Sequence, residues 1–177
     1  TLDLLPAIEA SKRSGRPILL VGQTHPRMPF MLGNAVIDAQ RFDLLLEHER
    51  YDQELFCPPN LPIGTVDHAI GLHASALLRD GGTLQIGIGE LGDAIVYALQ
   101  LRHQQNESWR GALRDIGGER SPALIDAVGG RDKFQQGLFA CSEMFVDQLL
   151  DLQRSGVLRR RVFNSLPVER AVAGGII

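Results

Sequence analysis

Between Thr65 and Arg102 the apolar residues change their period twice, and that change dictates the class of fold. Val66, Ile70, Ala74 and Leu77 recur at helical spacing across Thr65 to Arg79, and Asp80-Gly81-Gly82 stops the pattern. Thr83 to Ile86 then has the length and composition of a strand. Gly87-Ile88-Gly89 makes a turn. From Leu91 to Arg102 a helical period returns through Leu91, Ile95, Ala98 and Leu99, continued by His103. Helix, strand, glycine turn and helix in that order form one unit of a layered sheet, and the chain is predicted to be α/β.

The flanking segments extend this reading. Leu5 to Arg13 predicts a short helix ended by Ser14-Gly15, and Pro17 to Val21 a strand. Val36 to Leu46 reads as two short strands around Ala39-Gln40. Phe56 to Pro62 holds three prolines in five positions, which neither a helix interior nor a central strand accepts. We therefore read residues 58–63 as a linker, with 1–57 closing one domain and 64–177 opening a second. Beyond the glycine turn, short helices are predicted near Trp109 to Arg114 and Pro122 to Val128, and a strand over Leu138 to Cys141. An amphipathic helix from Met144 to Arg154 would turn Phe145, Leu149 and Leu152 inward and end at Gly156. A last strand falls near Arg161 to Phe163.

Composition excludes several classes. A 177-residue chain, 44% apolar and 22% charged, can bury a core. No apolar run reaches the roughly 20 residues of a membrane helix, and no secretory signal opens the sequence. A net charge of -3 is unlike a nucleic-acid surface. The basic run Arg159-Arg160-Arg161 reads as a solvated strand edge or helix end, with a phosphate contact as the alternative. Two cysteines, Cys57 and Cys141, make no disulfide framework and match no zinc spacing, so a reduced, cytoplasmic setting fits. Cys141 reads as a small buried strand residue. The five histidines are scattered, and His68 and His73, five apart, share no helical face, so no metal is expected. The absence of an initiator Met and the end at Ile177 suggest a piece of a longer chain.

Two places carry chemistry. In Gly87-Ile88-Gly89, glycine permits positive φ and close approach of a ligand to the backbone, and the following helix N-terminus favours a phosphate. A tight turn without a ligand explains the same residues. Glu143, in Ser142-Glu143-Met144, sits where a predicted strand gives way to a predicted helix, the position at which open α/β sheets build their sites. A glutamate capping the first helical turn accounts for it equally.

In order, Pro62-Ile63-Gly64, Asp80-Gly81-Gly82-Thr83-Leu84-Gln85-Ile86-Gly87-Ile88-Gly89, Asp93-Ala94-Ile95 and Cys141-Ser142-Glu143-Met144-Phe145-Val146-Asp147 resemble the acetyl-CoA hydrolase/CoA-transferase family. The upstream stretch His25-Pro26-Arg27-Met28-Pro29, with Asn34 to Glu47, is similar to the end of that family's first domain. The resemblance covers most of residues 17 to 163. It implies open layered sheets of the CoA-transferase (NagB/RpiA-like) type, with 64–177 the start of the catalytic domain.

The resemblance also implies a chemistry. Glu143 would attack an acyl-CoA to give an acyl-glutamyl anhydride, and the released thiolate would convert this into a glutamyl-CoA thioester. A small carboxylic acid then takes the CoA in a transferase, or water in a hydrolase; an inactive CoA-binding piece is a third reading. A glutamate is ionised at neutral pH and needs no activating base. Coenzyme A, as the acyl-CoA substrate, would meet Gly87, Ile88, Gly89, Glu90 and Leu91. A homo-oligomer is expected, with neither nucleic acid nor membrane as partner. Three departures stand out. Glu90 replaces a small or amide residue. Gly87 and Glu143 lie 56 positions apart, so 104–137 reads as an insertion. The oxyanion donors the tetrahedral intermediates require would come from segments beyond Ile177.

Overall fold

The computed structural model describes residues 3–57, 59 and 61–176, leaving aside the side chain of Asn34. Pro58 and Asn60 of the proline stretch lie outside the described residues. The chain divides into two compact units, Thr1–Cys57 and Pro58–Ile177, and both are mixed α/β.

The first unit opens with α1 (Leu4–Arg13), closed by Gly15 at φ 86°. Two three-residue strands follow, β1 (Val21–Gln23) and β2 (Leu44–Leu46), paired in parallel with Val21 opposite Leu44. The sequence placed the first strand at 17–21, but regular pairing starts only at Val21. Leu20 gives its N–H to the Asp43 carboxylate at 2.7 Å, and Lys12 reaches the same oxygen at 2.5 Å. Lys12 first, then the Leu20 N–H, holds the Asp43 carboxyl below its ordinary range. Only one of the two strands expected in 36–46 forms. The Asp38 side chain accepts the Gln40 N–H at 2.9 Å and winds Ala39–Arg41 into a 3-10 turn, a local bond that competes with a ladder.

The second unit carries α2 (Thr65–Ala76), β3 (Thr83–Ile86), α3 (Glu90–Gln104), α4 (Asn106–Asp115), α5 (Pro122–Val128), β4 (Phe139–Ser142), α6 (Asp147–Arg154) and α7 (Leu166–Ala173). Helix α2 does not bury the predicted stripe, since Val66, Ile70 and Leu77 are exposed. It packs through Gly71, Ser75 and Ala76 instead. A Cβ on Gly71 would lie 2.5 Å from the Ala94 carbonyl oxygen, so α2 and α3 touch backbone to backbone there. Close approach through a glycine overrides the hydrophobic stripe.

One core lies beneath the sheet, where Leu84, Ile86, Val96, Leu99, Phe134, Leu138, Leu152 and Val157 form a buried cluster. A second joins Ala76 to Trp109, Leu113 and Ile125 of the 104–137 stretch. Trp109 is fully buried and donates from Nε1 to Ser75 Oγ at 2.9 Å, so this stretch is packed onto the body. Helix α4 begins three residues before the predicted Trp109. The strand expected near Arg161 to Phe163 is absent: Leu138 and Leu158 form a single bridge, and the chain then leaves β4.

Asp80, read from the sequence as part of a helix stop and of the stretch resembling the family, joins the starts of β3 and β4. Its carboxylate accepts the N–H groups of Gln135, Gln136, Gly137 and Gly81 at 2.9–3.1 Å. Burial opposes its charge, but the four donors outweigh burial and hold the carboxyl below 3.8. A depressed carboxyl stabilises the fold above the unfolded-state value and loses that contribution as pH falls through the folded one. Asp80→Asn is therefore expected to cost about 1–2 kcal/mol at pH 7, with the difference shrinking below 3.8. Urea midpoints of both proteins at pH 7 and in acid check this; a pH-independent difference would contradict it.

Candidate functional site

Strands β3 and β4 run parallel with Thr83 opposite Phe139, Gln85 opposite Cys141 and Ile86 opposite Ser142. Both strands end at the same level. Gly87 and Glu143 are the first residues after the last paired rung of their strands, so each leaves the ladder at that same end. The two motifs, far apart in sequence, thus leave the carboxyl edge of one parallel pair together. Burial of Leu84 and Ile86 turns Gln85 and Cys141 to the other face, so Cys141 is exposed rather than buried.

The glycines of the loop have separate reasons. Gly89 takes φ 111° and ψ 175°, a conformation restricted to glycine, as it starts α3. A Cβ on Gly92 would lie 2.6 Å from the Gly87 carbonyl oxygen, so Gly92 lets α3 close down on the loop. Around Gly87 and Gly89, by contrast, nothing lies within 4 Å of an added Cβ. Ile88 and Leu91 are exposed, Glu90 half-buried. The loop thus presents an open backbone surface at the N-terminus of a 15-residue helix.

Glu143 is not in a helix. It lies in a bend with Met144, and α6 begins only at Asp147, so helix capping does not explain it. Phe145, predicted inward, is exposed, while Leu152 is buried. The Glu143 side chain is exposed and, among the described residues, has neither a hydrogen bond nor an ion pair. The carboxylate is therefore uncommitted.

Behind the bend, α3 and α6 are tied by Gln148 Nε2, which donates to Asp93 Oδ1. Burial raises the Asp93 carboxyl above its ordinary value, Gln148 opposes this, and Glu90 adds to it. Gln148 Oε1 is buried without a partner, as is Ser142 Oγ beside Glu143. Asp93 lay within the quoted motif, but its link to Gln148, 55 residues later, left no signal in the sequence. Among the described residues no group of three His, Cys, Asp or Glu side chains is disposed to hold a metal ion.

An open glycine loop beside a free carboxylate at the carboxyl edge of parallel strands has the form of an α/β ligand-binding site. Over 101 residues, 57% of this chain, the sequence is 36% identical to the 4-hydroxybutyrate coenzyme A transferase of Clostridium kluyveri. Over 99 residues, 56% of the chain, it is 30% identical to a succinyl-CoA:cyclohexane-1-carboxylate CoA transferase of Geobacter metallireducens. The chain is therefore similar to CoA transferases, the class its motifs resemble. It spans about a fifth of the length of these curated relatives, 21% in each case. No protein-family model matches the chain.

Proposed function

We propose that this chain carries the nucleophile and the CoA-contacting loop of an acyl-CoA:carboxylate CoA-transferase. The observation that supports the reading is the β3–β4 register, which ends both strands at one level, immediately before the open loop Gly87–Leu91 on one chain and the exposed Glu143 on the other. Residues 1–57 are assigned to the end of one open layered CoA-transferase domain and 64–177 to the beginning of the catalytic one.

In the proposed reaction a Glu143 oxygen attacks the thioester carbonyl of the acyl-CoA. The C–S bond breaks, CoA leaves as thiolate, and an acyl-glutamyl anhydride remains. The thiolate then attacks the glutamyl carbonyl and expels the original acyl group as a carboxylate. An acceptor carboxylate reverses both steps and departs as the new acyl-CoA. No net proton transfer is required, which suits a nucleophile without a neighbouring base. The loop glycines allow the backbone to approach CoA, and the α3 N-terminus favours its negative charge. Glu90 would have to point away from the phosphates.

The test uses the full-length protein with short acyl-CoAs, with and without acetate or succinate, and borohydride to reduce an enzyme thioester. Acceptor-dependent exchange with the modification mapped to Glu143 is the expected result. CoA release independent of acceptor would make it a hydrolase. No turnover and no adduct would sink the reading.

A further inference from the structure

The outer edge of β4 is closed for one rung only. Leu138 donates its N–H to Val157 O at 2.7 Å, and Leu138 O accepts the N–H groups of Arg159 and Arg160 at 3.2 Å each. The chain then turns away. A pocket of about 440 Å³ opens between Phe139-Ala140 and Leu158–Arg161, with Gln153 of α6 on its wall. Since the Phe139 N–H goes to Gly82 O on the β3 side, alternation turns the Ala140 N–H to this open edge.

Three consecutive arginines line the pocket, and among the described residues none of them is in an ion pair. Arg159 spends one nitrogen on the Phe134 and Gln135 carbonyls, at 2.6 and 2.8 Å. Arg160 donates to Thr83 Oγ1 at 2.5 Å and lies 5.8 Å from the Phe139 ring centre, while its Nε is buried without a partner. Arg161 is exposed and unpartnered. Every hydrogen-bond partner is neutral, so among the described residues none of the three positive charges is met directly by a carboxylate. The field reaches inward as well: after burial, Arg159 and Lys133 help hold the His103 ring below its usual value.

We propose that this pocket binds a phosphate-bearing ligand through Arg159, Arg160 and Arg161. A phosphate monoester carries close to two negative charges at neutral pH, which answers a triple cation better than a single carboxylate does. The guanidinium fork matches its oxygens, and the volume leaves room for an organic remainder. The pocket is separate from the candidate active site. Thr83, which Arg160 touches, begins β3, and Gly87 follows four residues later, about 13 Å away at ~3.3 Å per residue.

The experiment is a calorimetric titration of the full-length protein with inorganic pyrophosphate, at low and at high salt, and in competition with CoA. Saturable binding that weakens with salt is expected. Arg160→Gln with Arg161→Gln should weaken it about tenfold or more, at roughly one charge-assisted bond per residue. Arg161→Gln alone removes no packing contact and should weaken it by about threefold to fivefold. Arg154→Gln, whose partner is Asp151 on α6, should leave it unchanged. Competition by CoA would identify the phosphate as belonging to CoA, and its absence would point to a separate phosphorylated ligand. No binding, or equal affinity in all variants, overturns the proposal. Because the readout is pyrophosphate binding, it is independent of whether Glu143 turns over acyl-CoA.

Discussion

Arg102→Met is expected to destabilise the protein by about 3–5 kcal/mol, the largest stability effect of any single substitution considered. Arg102 is 1% exposed and meets no carboxylate directly. Its Nη1 donates to the Ser75 and Leu78 carbonyls at 2.6 and 2.7 Å, and its Nε to the Asp132 carbonyl at 2.9 Å. The guanidinium lies 4.3 Å from the Phe134 ring centre and 5.5 Å from that of Trp109. Burial pushes its pKa down to about 10 against the opposing pull of Asp132 and Asp80, so the group remains charged at neutral pH. One side chain therefore satisfies carbonyls at the end of α2 and in the turn leading to Phe134, and joins the two hydrophobic clusters. Methionine fills much of the volume but leaves three acceptors without a donor. Arg102→Lys keeps the charge yet cannot reproduce the planar fork, and should cost about half as much. Urea unfolding at pH 7 measures both. A loss below about 1 kcal/mol in the methionine variant would mean that the carbonyls find other donors.

Arg102 also illustrates what the sequence could not disclose. It sits inside a helix that periodicity located, but its partners lie 24 to 30 residues away on the chain. Asp80 is similar, with partners 55 to 57 residues distant. The strand Thr83–Ile86, the glycine turn and the helices over 65–76, 90–104 and 122–128 were legible because their signals are local. The departures from these expectations arise from non-local or side-chain contacts. At 17–21 and 36–46, aspartate side chains captured backbone N–H groups that the pattern had assigned to ladders. Near 161, the chain leaves β4 after the single Leu138–Leu158 bridge. In α2, a glycine contact beat an apolar stripe. For the site, sequence order identified the loop and the glutamate as separate motifs. That both follow the same end of one parallel pair comes from the β3–β4 register, which no local signal encodes.

Glu143→Gln is expected to lower CoA transfer by the full-length protein about 10⁴-fold or more, because the amide cannot form the anhydride. The loss should fall on turnover, with acyl-CoA binding retained, since glutamine keeps the shape of the side chain. Stability should move by less than about 0.5 kcal/mol. Glu143 is exposed in a bend and holds nothing else in place, in contrast to Asp80 and Asp93. Glu143→Asp sharpens the test. It retains a carboxylate but withdraws it by about one methylene, and a misplacement of about 1 Å costs on the order of 10²-fold. A ranking of glutamate over aspartate over glutamine, with unchanged thermal midpoints, marks a positioned nucleophile. If Glu143 were only a surface charge near the loop, all three proteins would turn over alike. If it served to repel or attract CoA electrostatically, glutamine would change the KM and leave kcat in place. Steady-state kinetics and a melting curve on the same three preparations separate these cases. The borohydride adduct should disappear in the glutamine variant.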